Sequence, residues 1–587
     1  MPTPAPPVIT CRFFVVAGLG CLLLCSGFLL LIFGPTPYAQ ILALGRDTHY
    51  EGGYQYLPLA VTPASYQLLR YSLAVLALGS FGGLVVGGRA SRSGQTTEAR
   101  LLWQELRAAV AAVGRTGRGL SGAERLVAGS LLALILTVRA WYLAHYVLGT
   151  DEVASYDYFV RPGPLTISCF YPIPNNHLFF NLVCWPLTWL TGNARLVMRL
   201  PTFAASAAST VFGYLLLLRW GGFRVATLAT TLFCLLPLSL YYAVAGRGYF
   251  LQFGLLLLAF FAVLAVLQRP AYQRLGWLGF MAASVLGFYT IPTFAYPFAS
   301  LSLGLLLGLG WQRSWPELGH LALAVSLVGA ATVLLYWPVG CVSGWRQLVG
   351  NRYVVALPDA VFWPQYPRQL RILADTLAGN NRVGLVAGTG LLLAGPVCFR
   401  LLPGANRSLA ALAWLLLALP LPLIAAQKVQ TPARTLFYTT FFACTLGSLL
   451  ATALLTWLRM PKRRQLVLGL AVVGAYGGNQ LRQELASHYD QVREQNQMEA
   501  TYAWLVQQGK GNPRVLLAAP DYELFFRHYA QQESRPLLLH ITPAPRQTYD
   551  FTVQGWRDAP LPAWALPPYY VPVYRNRFVV IYARPRT

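Results

Sequence analysis

The feature that most constrains this chain is a series of uninterrupted apolar runs, each about 17 to 23 residues long, enough for a helix to cross the hydrocarbon core of a bilayer. They fall at about 11–33, 67–88, 124–146, 199–219, 224–243, 250–267, 275–291, 294–310, 319–339, 384–402, 409–425, 434–457 and 464–477. In a bilayer every backbone polar group must be paired internally, so such a chain folds as a helical bundle. The composition agrees. Mean hydropathy is +0.48 and only 11% of residues are charged, less than half the share usual in soluble domains, which is roughly 25%. The expectation is an α-helical polytopic membrane protein with about 13 transmembrane helices.

The net charge of +25 fits the same picture. Short connections such as "RWGGFR", "QRPAYQR", "WQRSW" and "RMPKRRQ" are rich in Arg and Lys, as cytoplasmic loops are. The intervening connections (34–66, 147–198, 340–383, 426–433 and everything after 478) are longer or less basic. The N-terminus is therefore expected in the cytoplasm and the C-terminus outside. No basic cluster is interleaved with aromatics in a soluble segment, which excludes nucleic acid as a partner. The nine Cys are scattered, mostly within apolar runs, with no CxxC pair, and read as small core side chains. The scarcity of Lys and the lack of an organelle signal point to a bacterial inner membrane.

Three regions are expected: 1–122, two membrane helices and a basic cytoplasmic linker; 123–477, the main membrane domain; 478–587, a soluble α/β domain on the outer, periplasmic face. Within 89–122, Arg alternates with Leu, Val and Ala at helical spacing. This reads either as an amphipathic helix on the inner membrane surface or as an ordinary basic linker. After 478 a polar helical stretch is followed by "PRVLLAAP", "RPLLLHI" and "RFVVIYA", short β-type runs.

Acids are scarce, 20 in 587 residues, yet "GTDEVASYDYF" sets Asp151, Glu152 and Asp157 together at the exit of an apolar run. Farther along, "YPIPNNHLFFNLVCWPLTWL" combines a turn and helix-start signal with an apolar stretch, 178–190, too short to span and fit for an interfacial helix. His177 reads as a polar contact or as a structural cap. Arg247 in "GRGY" and Arg434 in "QTPARTL", with Lys428 nearby, are cations on the less basic side of the membrane. They suit either an anionic lipid headgroup, whose phosphate matches the guanidinium fork, or snorkelling. Tyr249 could add a hydroxyl there or simply pack.

An Asp-Glu pair in an outer loop, a Pro/Asn-rich stretch with an interfacial helix, "MRLP" opening a span and "GRGY" after the next together resemble the GT-C membrane glycosyltransferases. The nearest branch is the family 39 type, which includes protein O-mannosyltransferases and aminoarabinose transferases. The resemblance runs from about 124 to 300, and more weakly to about 460. It implies a GT-C-like fold and transfer of a sugar from a polyprenyl-phosphate donor to a lipid, glycan or protein acceptor in the cell envelope. It assigns the catalytic carboxylate to Asp151 and the donor phosphate to Arg247 and Arg434. Glu152, Asp157, His177 and Tyr249 are candidate substrate-binding residues. The sequence "PNNHLFFN" departs from the "PPLYYW" type of the aminoarabinose branch, so sugar and acceptor stay open. No cofactor is called for with certainty; a divalent cation shared by two of the carboxylates is one option. A transporter or flippase of lipid-linked saccharide is the alternative, although such proteins usually place functional charges near the midplane and show inverted repeats. A non-catalytic scaffold presenting the C-terminal domain is a further one, against which the acid cluster argues.

Overall fold

The computed structural model describes residues 10–45, 49–50, 53–54, 58–89, 98–350, 355–379, 382–508, 513–518, 520–533, 537–541, 543–544, 547–555 and 561–585. All thirteen apolar runs are helical. Among the described residues nine helices are long and apolar enough to cross a membrane, and a bent pair over 382–401 makes a tenth. The other three runs depart for local reasons. The run at 224–243 breaks into Phe223–Cys234 and Pro237–Tyr242, because Pro237 can start a helix but cannot continue one. The run at 275–291 is an 18-residue helix, Gln273–Thr290, walled in by its neighbours. The run at 464–477 passes through a wide π-turn at Val473–Gly477 into the polar helix Gly478–Gln508.

Capping fixes where the long helices start. Gly122–His145 opens with a reciprocal Ser121/Glu124 capping box, which satisfies two otherwise unpaired backbone donors. In Ala194–Gly221 the Asn193 side chain accepts from the Leu196 N–H at 3.2 Å. The N-terminal helices Cys11–Phe33 and Pro63–Arg89 pack on each other and the first also on Trp315–Val339.

Within 89–122 the helix is Glu98–Arg118; residues 90–97 of that stretch lie outside the described residues. The helix is tied to the bundle by the buried Arg274 guanidinium, which contacts Glu98 (2.8 Å) and Glu105 (3.3 Å). At the same end, Arg224 donates to Gln465, joining the "RWGGFR" and "RMPKRRQ" loops. The short basic loops thus gather at one end of the bundle.

The C-terminal module sits at the other end. The three β-type runs read from sequence are strands Arg514–Leu517, Leu538–His540 and Val579–Ala583, and two more, Phe551–Gly555 and Val571–Arg575, complete the sheet. Its order is Leu538–His540, Arg514–Leu517, Phe551–Gly555, Val579–Ala583, Val571–Arg575. The first two pairings are parallel and the last two antiparallel.

Helix Gly478–Gln508 joins module to bundle. Burial pushes Glu484 on it up to about 7. Its neighbour His488, ringed by Trp141, Tyr142 and Tyr146, is pushed down by burial and by His145. A carboxyl raised in the folded state contributes stability that is full below the ordinary glutamate range and is lost as pH rises toward 7. A buried histidine pushed down gives the opposite slope on the acid side. The protein is therefore expected to melt lower at pH 8 than at pH 6, and Glu484→Gln to reduce that difference, the remainder coming from Glu523, which burial also pushes up to about 7. Scanning fluorimetry of both proteins across this range is the check; equal slopes would rule the glutamate out as the cause.

Candidate active site

The stretch that follows the Gly122–His145 span is built around one buried carboxylate. Glu152 lies in the first turn of the short helix Thr150–Ser155, and its side chain is 2% exposed. Its Oε2 accepts from the Gly149 N–H and from Arg199 Nη2, both at 2.8 Å. Its Oε1 accepts from Arg199 Nε at 2.9 Å and from the Gly246 N–H at 2.6 Å. Arg199, in the "MRLP" of the Ala194–Gly221 helix, spends a further N–H on the Tyr146 carbonyl at 2.7 Å. One ion pair thus fastens the short helix, a membrane span and the 243–248 loop to one another. Every acceptor direction of Glu152 is turned inward, away from Asp151.

The 243–248 loop passes so close that side chains are excluded on both sides of Arg247. A Cβ at Gly246 would stand 2.5 Å from Met198 Cβ, and one at Gly248 would stand 2.9 Å from Thr290 Cγ2. This close approach, not a special φ, is what "GRG" serves.

Arg247 is buried, and its guanidinium is aimed at the neighbouring polar groups. Nη1 lies 3.3 Å from Asp151 Oδ2 and donates to Asn175 Oδ1. Nη2 is 3.2 Å from His177 Nε2. Asp151 is half-exposed, and its other neighbour is the half-exposed Arg434, Nη1 to Oδ2 3.9 Å. Asn175 also donates to the Asp151 carbonyl at 2.9 Å, so it braces both members of the pair. Asn176 is a loop brace, donating to the Ile167 and Phe170 carbonyls.

His177 is buried. Its Nδ1 accepts from the Gly248 N–H at 3.0 Å. Burial first, and the Arg247 and Arg434 charges second, hold its pKa well below the usual histidine range, so it stays neutral at physiological pH. Tyr249 packs edge-on against His177 (5.2 Å between centroids) and Tyr242 (4.6 Å); the Arg247 guanidinium carbon is 5.8 Å from its ring centre.

Asp151, His177, Arg247, Tyr249 and Arg434 are therefore brought together. Glu152 is not part of the open face, and Asp157 points elsewhere, to His528 of the C-terminal module (3.0 Å). Lys428 pairs with Asp359 at 2.8 Å, not with Asp151. The three carboxylates diverge, and among the described residues no group of three or more His, Cys, Asp and Glu is placed to hold a metal ion. Sequence reading did not single out Asn175 or assign a role to Arg199. Their signals were present in "PIPNN" and "MRLP", as a turn and as a helix start.

Chemically the open face carries two guanidinium charges against one carboxylate, with a neutral imidazole behind. The excess is positive and borders solvent through Asp151 and Arg434. Such a face can take an anion with two oxygens toward the arginines and leave a carboxylate beside it to receive a proton.

The chain is thus a polytopic helical membrane protein with a C-terminal α/β module, and the helix that carries Asp151 of the carboxylate–arginine cluster also touches that module. No family model and no curated protein sequence matches it. Among solved structures it is similar to ArnT from Cupriavidus metallidurans bound to undecaprenyl phosphate, with TM-score 0.50, 15% identity, and coverage of 78% of this chain and 97% of that one. The apo ArnT structure from the same organism gives TM-score 0.50, 15% identity, and coverage of 79% and 98%. The overall fold is that of these ArnT structures, in line with the expectation from the sequence.

Proposed function

We propose that the protein is a membrane glycosyltransferase that moves a sugar from a polyprenyl-phosphate donor to an acceptor hydroxyl. The observation that carries this is the Asp151–Arg247–Arg434 cluster, two guanidinium groups against one half-exposed carboxylate, in a fold shared with a protein solved bound to undecaprenyl phosphate. In this reading the acceptor oxygen attacks the anomeric carbon while the bond to the phosphate oxygen breaks. Asp151 receives the hydroxyl proton, and Arg247 and Arg434 stabilise the charge gathering on the departing polyprenyl phosphate. A single displacement with no covalent intermediate inverts the anomeric centre. Asn175 holds Arg247 in place through its side-chain oxygen, and His177, whose Nδ1 accepts from the Gly248 N–H, holds the loop that carries it. No step is routed through a metal ion. The alternative, a flippase, draws on the same anion face but has no use for a carboxylate beside the phosphate.

The reaction belongs on the non-cytoplasmic side of the inner membrane, because the cluster lies at the end opposite the short basic loops. A protease-sensitive tag after Gly478 is expected to be cut from outside intact cells and one within 98–118 to be protected; the reverse pattern would put Asp151 in the cytoplasm and end this reading.

Purified protein incubated with labelled polyprenyl-phosphate sugars tests the activity. Charge-assisted hydrogen bonds contribute roughly 1.5–3 kcal/mol each, so Arg247→Ala and Arg434→Ala are each expected to slow transfer at least about tenfold. Both should also weaken donor binding. Lys should restore only part, because an ammonium lacks the bidentate fork. Wild-type kinetics in both Ala variants would mean that these arginines only anchor helices.

A further inference from the structure

The short helix that carries Asp151 has a second attachment, at its other end, and it is made by the C-terminal module. Beyond Ser155 the helix widens into a π-turn, Tyr156–Val160, which holds Asp157 on the side facing helix Pro520–Gln532 of the module. Asp157 Oδ2 stands 3.0 Å from His528 Nδ1. The two side chains are 8% and 2% exposed, which is deep burial for an ionisable pair at the junction between two modules. The Gln532 amide donates to His528 Nε2 at 2.9 Å. This leaves Nδ1 as the protonated nitrogen and Asp157 as its acceptor. Tyr156 closes the contact, its ring edge-on to His528 at 6.1 Å.

The apolar surroundings are continuous across the junction. Val153, Ala154 and Val160 of the Asp151 segment share one core with Phe525, Phe526 and the sheet. A six-residue helix has too few turns to hold its own shape in isolation. Its position is set by what grips it. Glu152 grips the first turn from the membrane bundle, and Asp157 grips the far end from the module.

We infer that the C-terminal module is a working part of the active site, and that His528, acting through Asp157, is a positioning residue for Asp151. The inference rests on Asp151 being the base. Arg247 and Arg434 hang from other elements, the 243–248 loop and the Ala433–Leu436 turn. Glu152 still holds the first turn against the 243–248 loop, so loosening the His528 grip at the far end should misplace the carboxylate more than the phosphate contacts.

A misplacement of about 1 Å costs up to roughly 100-fold in rate. In the full-length protein, His528→Ala is expected to lower kcat by about 10- to 100-fold while donor KM stays within about twofold. His528→Asn, whose amide N–H can reach the place of Nδ1, should recover most of the loss. Asp157→Ala combined with His528→Ala should cost no more than the worse single variant, as expected for two residues acting as one contact. Melting temperature is recorded for each variant, and the Asn variant keeps the test decisive if the Ala variant does not fold. Wild-type kcat in His528→Ala overturns the inference. So does a loss of donor affinity as large as the loss in kcat, or additive effects in the double variant. Asp151→Asn measured alongside separates the two claims. If it is inactive while His528→Ala turns over normally, only the positioning role fails; if Asp151→Asn is active, the base assignment itself fails.

Discussion

Asp151→Asn is expected to lose transfer by about 10²- to 10⁴-fold, the range supplied by a well-placed general base, and yet to bind a polyprenyl phosphate at least as well as the wild type. The second half follows from the charges around it. Asp151 is the carboxylate facing Arg247 and Arg434. Where it is ionised it competes for the same guanidinium N–H groups that a donor phosphate would use. An amide of the same shape removes the competitor and leaves both cations. The cost in stability should stay below that of breaking the sealed Glu152–Arg199 pair, because Asp151 is half-exposed although its partner Arg247 is buried. The measurement pairs a single-turnover transfer assay with equilibrium binding of polyprenyl phosphate. Turnover near the wild-type rate would remove Asp151 from the chemistry. Collapse of binding together with rate would make it a structural brace of Arg247, and the base would have to be another group.

The membrane fold was legible because its signal is long and redundant. Thirteen apolar runs are all helical, and charge asymmetry alone groups the loops at the two ends. What sequence could not supply is direction at short range. Asp151 and Glu152 are adjacent and chemically alike, yet one borders solvent at 46% exposure and the other is sealed at 2%. That difference depends on Arg199 and on the amide of Gly246, which are 47 and 94 residues away. Asp157 is five residues beyond Glu152, and a π-turn rather than an α-turn decides which way it looks. No local pattern announces such a turn. Asn175 carries no sequence signal beyond that of a turn, because Asn favours turns wherever it occurs; its bond to Arg247 is a tertiary fact. The strands 551–555 and 571–575 were missed for a related reason. Their sequences, "FTVQG" and "VPVYR", are short, and one contains Pro572, which marks an edge strand rather than a central one.

The pair that sequence reading least anticipated, Glu152 with Arg199, carries the largest expected effect on stability. Both side chains are sealed from solvent, and Glu152 also receives the Gly149 and Gly246 N–H groups. Removing one partner of a buried pair leaves an uncompensated charge and costs about 3–5 kcal/mol. Glu152→Ala is therefore expected to lower the melting temperature sharply, and Glu152→Gln by less, since the amide oxygen can still accept while its NH₂ meets other donors. Replacing both partners with apolar residues removes the desolvation cost as well as the attraction, so Glu152→Met with Arg199→Met should be more stable than Glu152→Ala alone. Activity should not follow stability in that double variant. The bond to Gly246 holds the loop of Arg247 against the helix of Asp151, and methionine cannot replace it. Thermal unfolding in detergent followed by tryptophan fluorescence, read beside the transfer rate, separates the two quantities. A double variant both stable and active would show that packing alone sets the distance between Asp151 and Arg247, and that the ion pair is dispensable to the site.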